Sequence, residues 1–183
     1  MAKRALAQER SARPGLHPSR RRVLVSWLVF LAIVAVMMVA LQTWREEVFG
    51  FVAPLTARMT GAGLSLLGAN VRVSGSTVRS SVYTLKVINE CTAVMPAVLF
   101  VAAVMAYPCR WRSKLLGVLL GLPAIALINV VRLVSLCYVG RYYPEAFDTA
   151  HLLVWQSLIV FFAMLIWIVW ATVLARGHET TPA

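Results

Sequence analysis

One long apolar stretch decides the fold: residues 115–139 read LLGVLLGLPAIALINVVRLVSLCYV. Asn129 and Arg132 are its only strongly polar interruptions. A run of this length is typical of a helix that crosses the roughly 30 Å hydrocarbon core of a bilayer. An arginine in the middle of such a helix costs at least about 2.5–3.5 kcal/mol. Arg132 therefore indicates a functional or paired site, unless the side chain snorkels to the headgroups.

The composition of the whole chain is that of a membrane protein. Of its 183 residues, 60% are hydrophobic, whereas soluble domains contain about 45–50%. The formal net charge of +11 is also typical of proteins that bind nucleic acid. However, seven basic residues precede Val23, and most of the others flank apolar runs, which is the bias that orients helices in a bilayer. We therefore expect the lipid bilayer as a partner and no nucleic acid.

Three further apolar runs predict a polytopic topology. We expect four membrane spans, at about residues 23–44, 91–108, 115–139 and 151–175, in a single membrane domain over residues 23–176. The first run is long for a signal peptide and no small-x-small site follows it, so we interpret it as a retained helix. Residues 1–22 and 177–183 are predicted to be cytoplasmic tails.

The basic segments set the predicted orientation. The tail before Val23, a loop at residues 110–114 and Arg176 all carry positive charge, so they are expected in the cytoplasm. Residues 45–91 and 140–151 then face outward.

The segment between the first two predicted spans has mixed patterns. Apolar residues recur with near-helical spacing over residues 51–67, which predicts a helix lying on the outer membrane surface. Residues 71–74 and 83–87 alternate, with Gly75 between serines, which predicts a short pair of extended strands. The predicted fold class is therefore all-α and polytopic, with about four transmembrane helices, an outer interfacial helix and a short extended segment.

This topology brings three chemically distinctive residues to one membrane surface. Cys91 lies at the outer end of the second span and His151 at the outer start of the fourth. Arg132 lies 17 residues after Leu115, which is about 26 Å along the third span and close to the outer interface. Taken singly, Cys91 could be a small buried side chain, and His151 an interfacial or capping residue.

Together, these residue types are suited to acyl transfer. A thiolate is the nucleophile, and a helix N-terminus or a nearby cation lowers the pKa of a thiol. A histidine can take and return the proton, and an arginine can stabilise an oxyanion or bind a carboxylate. Asn129 lies three residues before Arg132 and could support it. Glu90 either pairs with Arg132 or is a solvated neighbour of the thiol.

The combination resembles the exosortase/archaeosortase family. The resemblance rests on a cysteine opening one span, on Asn-x-x-Arg in the next (Asn129 and Arg132), and on a histidine opening the last, over roughly residues 62–162. It implies a membrane cysteine transpeptidase or protease with Cys91 as nucleophile, His151 as base and Arg132 as essential arginine.

The implied partners are exported proteins with a C-terminal motif such as PEP, a transmembrane helix and a basic tail. The implied location is a bacterial inner membrane, with the N-terminus cytoplasmic and the active site periplasmic. No metal or other cofactor is expected, since three cysteines without C-x-x-C suit neither a zinc site nor a disulfide framework.

Two features depart from common family patterns. Many members have Cys-Ser/Thr-Gly where this chain has Cys91, Thr92 and Ala93, and the chain is short. It resembles a compact form, the exosortase H branch, which implies an IPTLxxWG-like motif.

Rival enzymes fit the sequence less well. A quinone-linked disulfide oxidoreductase needs paired outer thiols, whereas Cys109 is predicted to be cytoplasmic. A prenyl-protease-like enzyme has a Glu-Glu-x-x-x-Arg motif. Glu46 and Glu47 fit its start, but Phe51 stands where the arginine is required. The non-enzymatic alternative is a membrane scaffold for surface-protein or polysaccharide export. The oligomeric state is left open.

Overall fold

A computed structural model describes residues 20–175 as five helical segments and one small sheet. The helices are α1 (Arg20–Thr43), α2 (Arg45–Leu66), α3 (Val94–Ala106), α4 (Trp111–Tyr142) and α5 (Pro144–Ala175). The strands are β1 (Val71–Ser74), β2 (Thr77–Ser80) and β3 (Thr84–Lys86), and a 3₁₀ turn covers Asn89–Cys91. Most of both predicted tails, and Arg176, lie outside the described residues.

Three of the described helices are long and apolar enough to cross a membrane: Val23–Thr43, Trp111–Tyr142 and Pro144–Ala175. The predicted second span, 91–108, is shorter than expected. Its helix α3 has 13 residues, or about 20 Å, against a hydrocarbon core of roughly 30 Å. Pro108 accounts for the early end, because a residue before proline favours extended backbone and Tyr107 has ψ 131°.

The prediction that residues 110–114 form a loop is also mostly wrong, whereas their cytoplasmic placement stays a prediction. Helix α4 begins at Trp111, with Arg110 as its extended N-cap residue, so Arg112 and Lys114 lie in its first turn. Nothing between Trp111 and Lys114 breaks a helix, and basic side chains are good helix formers.

The segment between α1 and α3 contains more structure than its sequence pattern predicts. The predicted helix at residues 51–67 is longer and begins at Arg45. The predicted strand pair is a three-stranded antiparallel sheet in the order β1-β2-β3. Gly75, with φ +56°, forms the tight turn that joins β1 to β2, a conformation that glycine adopts without strain. The placement of α2 on the membrane surface remains a prediction.

Two hydrophobic cores lie toward opposite ends of α4. The sheet-side core joins α2, the sheet, the 3₁₀ turn and the second half of α4; its members are Ala53, Ala57, Leu64, Val78, Leu85, Val87, Cys91, Leu133, Leu136 and Cys137. The far core joins α3, the first half of α4 and α5; its members are Phe100, Val104, Ile125, Ala163, Trp170, Ala171 and Ala175. Cys91 therefore lies in a packed core beneath the sheet.

Candidate active site

Cys91 is the last residue of the 3₁₀ turn between β3 and α3. Its backbone N–H donates to the carbonyl of Ile88 (2.9 Å), and the Thr92 hydroxyl donates to the carbonyl of Asn89 (2.7 Å). The side chain is 4% exposed. The prediction that Cys91 opens a helix is wrong, because α3 begins at Val94. The thiol is therefore held by a tight turn that precedes the helix. It lies outside the first turn of α3, and that first turn is where the helix dipole acts most strongly.

His151 faces the thiol from the beginning of α5. Its Nε2 lies 3.8 Å from Cys91 Sγ, although 60 positions separate the two residues in sequence. His151 was predicted to start its span, but α5 begins at Pro144, and the histidine lies in the π-helical stretch Ala150–Val154. The half-buried imidazole stacks on Phe147, with ring centroids 6.0 Å apart and planes 28° apart. The structure thus brings the predicted nucleophile and base together.

Arg132 is enclosed by protein. Its side chain is 2% exposed, so the alternative that it snorkels to the headgroups is wrong. Nη2 donates to the backbone carbonyl of Glu90 at 3.5 Å, and within residues 20–175 Nε has no hydrogen-bond partner. Glu90 therefore contacts the arginine through its main chain, and its own carboxylate forms no ion pair with it in the described part of the chain.

Asn129 supports the cysteine rather than the arginine. Its Nδ2 donates to the carbonyl of Cys91 at 2.9 Å, and its side chain is 2% exposed. Because Asn129 and Arg132 are three residues apart on α4, they share one helical face. That face contacts two successive carbonyls, those of Glu90 and Cys91. The predicted Asn-x-x-Arg motif thus clamps the turn that carries the thiol.

The environment of the Cys91 thiol disfavours its ionised form. Burial raises the pKa of Cys91 above its ordinary value. A hydrogen bond with the backbone of Ile88 and the charge of Arg132 lower this pKa, and the charge of Glu90 raises it. Burial is the largest of these effects. The predicted lowering of the thiol pKa by a nearby cation is therefore present, but burial raises this pKa by more. The thiol consequently needs a base to react.

Sequence reasoning missed the aromatic support of the histidine. Tyr83 packs on Phe147, with ring centroids 5.9 Å apart, and Phe147 packs on His151. Gly140 permits this arrangement, because a Cβ there would lie 2.9 Å from the Tyr83 ring. The available signal was Phe147, an aromatic residue four positions before His151 on a helix.

The other two thiols lie in or beside the two hydrophobic cores. Cys137 is fully buried in the sheet-side core, and Cys109 is partly buried beside the far core. Among residues 20–175, no three His, Cys, Asp or Glu side chains are grouped so that they could hold a metal ion.

Comparison with known proteins identifies a family for this chain. No match was found among curated proteins or among solved structures. The family model described as transmembrane exosortase (Exosortase_EpsH) matches residues 15–171, which include Cys91, Arg132 and His151. Assignment to the exosortase H branch stays a prediction. Since the match covers most of the sequence, the chain belongs to the transmembrane exosortase family.

Proposed function

We propose that the protein is a membrane cysteine peptidase or transpeptidase that cleaves the C-terminal sorting signal of exported proteins. The observation that carries the proposal is the 3.8 Å approach of Cys91 Sγ to His151 Nε2. Membership of the transmembrane exosortase family supports this class of activity. The implied substrates end in a short motif, a transmembrane helix and a basic tail.

The first half-reaction forms an acyl-enzyme. His151 Nε2 takes the thiol proton while Cys91 Sγ bonds to the scissile carbonyl carbon, whose π electrons move onto its oxygen. Collapse of this tetrahedral intermediate breaks the C–N bond, and the imidazolium gives its proton to the leaving amine. The product is a thioester between Cys91 and the new C-terminus. A resting Sγ···Nε2 distance of 3.8 Å suits a pair that tightens when substrate binds.

The second half-reaction releases Cys91. An acceptor gives a proton to His151 as it attacks the thioester carbonyl, and collapse breaks the C–S bond and returns the proton to sulfur. Water as the acceptor gives hydrolysis, whereas an amine gives transpeptidation.

The clamp formed by Asn129 and Arg132 has two parts in this scheme. Its hydrogen bonds to the Glu90 and Cys91 carbonyls hold the nucleophile's turn, so little reorganisation is needed during reaction. The buried charge of Arg132 stabilises negative charge at Cys91. In a site that excludes water, a fixed cation can stabilise developing anionic charge strongly.

The proposed setting is a bacterial inner membrane, with the N-terminus in the cytoplasm and the active site on the periplasmic side. Arg112 and Lys114 lie at the start of α4, and Arg132 lies in its second half. Basic residues flanking a span favour the cytoplasm, so this arrangement supports an outward-facing site. A substrate helix lying beside the bundle would present its motif at that surface.

The alternative is a non-enzymatic scaffold, which should tolerate loss of the thiol. Cys91→Ser and His151→Ala are expected to abolish precursor processing, because they remove nucleophile and base, while the proteins still accumulate in membranes. The loss of a general base typically costs about 10²–10⁴ in rate. The measurement is the ratio of precursor to product over time for a co-expressed protein that carries such a signal.

Cys137→Ser is the matched control, because it makes the same exchange at another buried cysteine of the same core. It should retain processing per folded molecule. Full processing by Cys91→Ser would eliminate the proposed mechanism and favour the scaffold.

A further inference from the structure

Within residues 20–175, the outer edge of β3 has backbone groups that no other strand pairs. Two backbone hydrogen bonds flank β3: Ser80 N–H donates to Tyr83 O, and Val87 N–H donates to Ser76 O. They fix which residues of β3 direct their backbone N–H and C=O groups toward β2. Because bonding alternates along an antiparallel strand, the N–H and C=O of Thr84 and Lys86 point away from β2. Both residues are exposed, and β3 is an edge strand of the described sheet.

Both ends of this edge lead to the active site. Just before β3, Tyr83 packs on Phe147, whose ring stacks on His151. Just after β3, the chain enters the 3₁₀ turn that ends at Cys91. Leu85 of β3 is buried in the same core as the thiol. An extended peptide beside β3 would therefore run close to both reacting side chains.

We propose that the substrate segment around the scissile bond binds as a fourth strand on the outer edge of β3. This inference rests on the proposed peptidase function and names where that substrate docks. A strand added there lies about 4.8 Å from β3 and gains main-chain hydrogen bonds whatever its side chains. Such pairing fixes the depth and direction of the peptide, which brings its carbonyl to Cys91 in one register.

The opposite edge of the sheet is a built-in comparison. By the same alternation, the outward groups of β1 belong to Val71 and Val73. This edge is two strands from β3, or roughly 10 Å farther from the cysteine turn. Only the β3 edge is expected to bind the substrate.

Lys86→Pro tests the edge, because proline removes an outward N–H and edge strands tolerate it. Lys86→Ala is the matched control for the side chain, and Val73→Pro is the control for proline at the other edge. The probe is a separately purified single-span protein ending in an IPTLxxWG-like motif, a transmembrane helix and a basic tail, with processing by the purified enzyme measured in detergent over a range of probe concentrations. Loss of one hydrogen bond should raise KM about three- to tenfold relative to Lys86→Ala, with kcat little changed. Val73→Pro should match the parent.

A cross-linking measurement covers the case in which Lys86→Pro does not fold. Benzoylphenylalanine at Thr84, in a Cys91→Ala background, should capture the motif segment of the probe on irradiation. The same group at Ser74, an exposed residue of β1, should not. Equal capture at both positions, or equal KM for Lys86→Pro and Lys86→Ala, would overturn the docking edge while leaving the peptidase intact. Failure of the parent protein to process the probe would overturn both proposals.

Discussion

The two cores of this protein use polar groups differently. In the far core, Trp170 Nε1 donates to the carbonyl of Ser113 at 2.9 Å, and its ring lies against Gly117. In the sheet-side core, Asn129 and Arg132 reach across to the carbonyls of a neighbouring turn. The first arrangement joins two helices to each other. The second holds the turn of the proposed nucleophile, and α4 contributes to both.

Unpaired buried atoms alone do not distinguish the two cores. Ser113 Oγ and Trp167 Nε1, near the far core, have no partner within the described residues, and neither do Asn129 Oδ1 and Arg132 Nε. The difference is that Arg132 is a cation whose charge acts on Cys91. Charge beside the proposed nucleophile, rather than missing hydrogen bonds, therefore distinguishes the sheet-side core from the far core.

The strongest test of this comparison is Arg132→Lys. Lysine keeps the charge but loses the planar fork that reaches the Glu90 carbonyl. Loss of an aligned donor in an acyl-transfer site costs on the order of 10²–10³ in rate, so processing should fall by at least about the lower figure. Expression should remain near normal. The readout is the rate at which precursor is processed.

Arg141→Lys, at the exposed end of the same helix, is the control and should process like the parent. A parental rate for Arg132→Lys would reduce the site to Cys91 and His151.

A smaller effect is expected from Asn129→Ala. This variant leaves the buried Cys91 carbonyl without its 2.9 Å hydrogen bond and loosens the turn. A cost of about 1–2 kcal/mol corresponds to roughly a tenfold slower processing rate. Asn89→Ala is the comparison, since no side-chain hydrogen bond is present at Asn89 within residues 20–175. If both asparagine variants slow processing equally, the clamp has no special role.

The reactivity of Cys91 should report the charges around it. Since burial raises the pKa of this thiol, alkylation by iodoacetamide should increase with pH through a midpoint above that of an ordinary cysteine. Arg132→Gln removes a charge that lowers this pKa, so the midpoint should move up; Glu90→Gln removes one that raises it, so the midpoint should move down. Mass spectrometry of the Cys91 peptide measures both. Identical midpoints in the two variants would contradict the electrostatic picture.

The smallest effect on processing is expected from the far core. A Cβ at Gly121 would collide with the Phe100 ring, so Gly121→Ala should lower the free energy of unfolding by about 1–3 kcal/mol. Processing per folded molecule should stay near the parental rate. Gly50→Ala is the control, because a Cβ there meets nothing within 4 Å. Thermal unfolding and processing are measured on the same preparations. A large loss of processing rate for Gly121→Ala would show that the two cores are coupled.

The sequence predicted the long helices well and the segment between them poorly. The apolar runs of α1, α4 and α5 are long enough to stand out without tertiary information. Strand β2 was missed, because Thr77–Ser80 is only four residues long and Val78 is its single apolar residue. Such a strand is stabilised by its neighbours on both sides, Val78 packing into the sheet-side core, and not by its own pattern.

The same division applies to the site. The residue types, and the three-residue spacing of Asn129 and Arg132 that puts them on one helical face, were readable from the sequence alone. Their partners were not: Asn129 supports Cys91, and Glu90 offers its carbonyl rather than its carboxylate.

The sequence by itself therefore determined that this is a helical membrane protein and which side chains could react. Only the tertiary structure decided that Cys91 sits in a buried turn 3.8 Å from His151, with a raised thiol pKa. Helical periodicity is local, so it sets the face on which a side chain lies. Distance, burial and charge at a site depend on how segments 60 residues apart pack together, which no local pattern records.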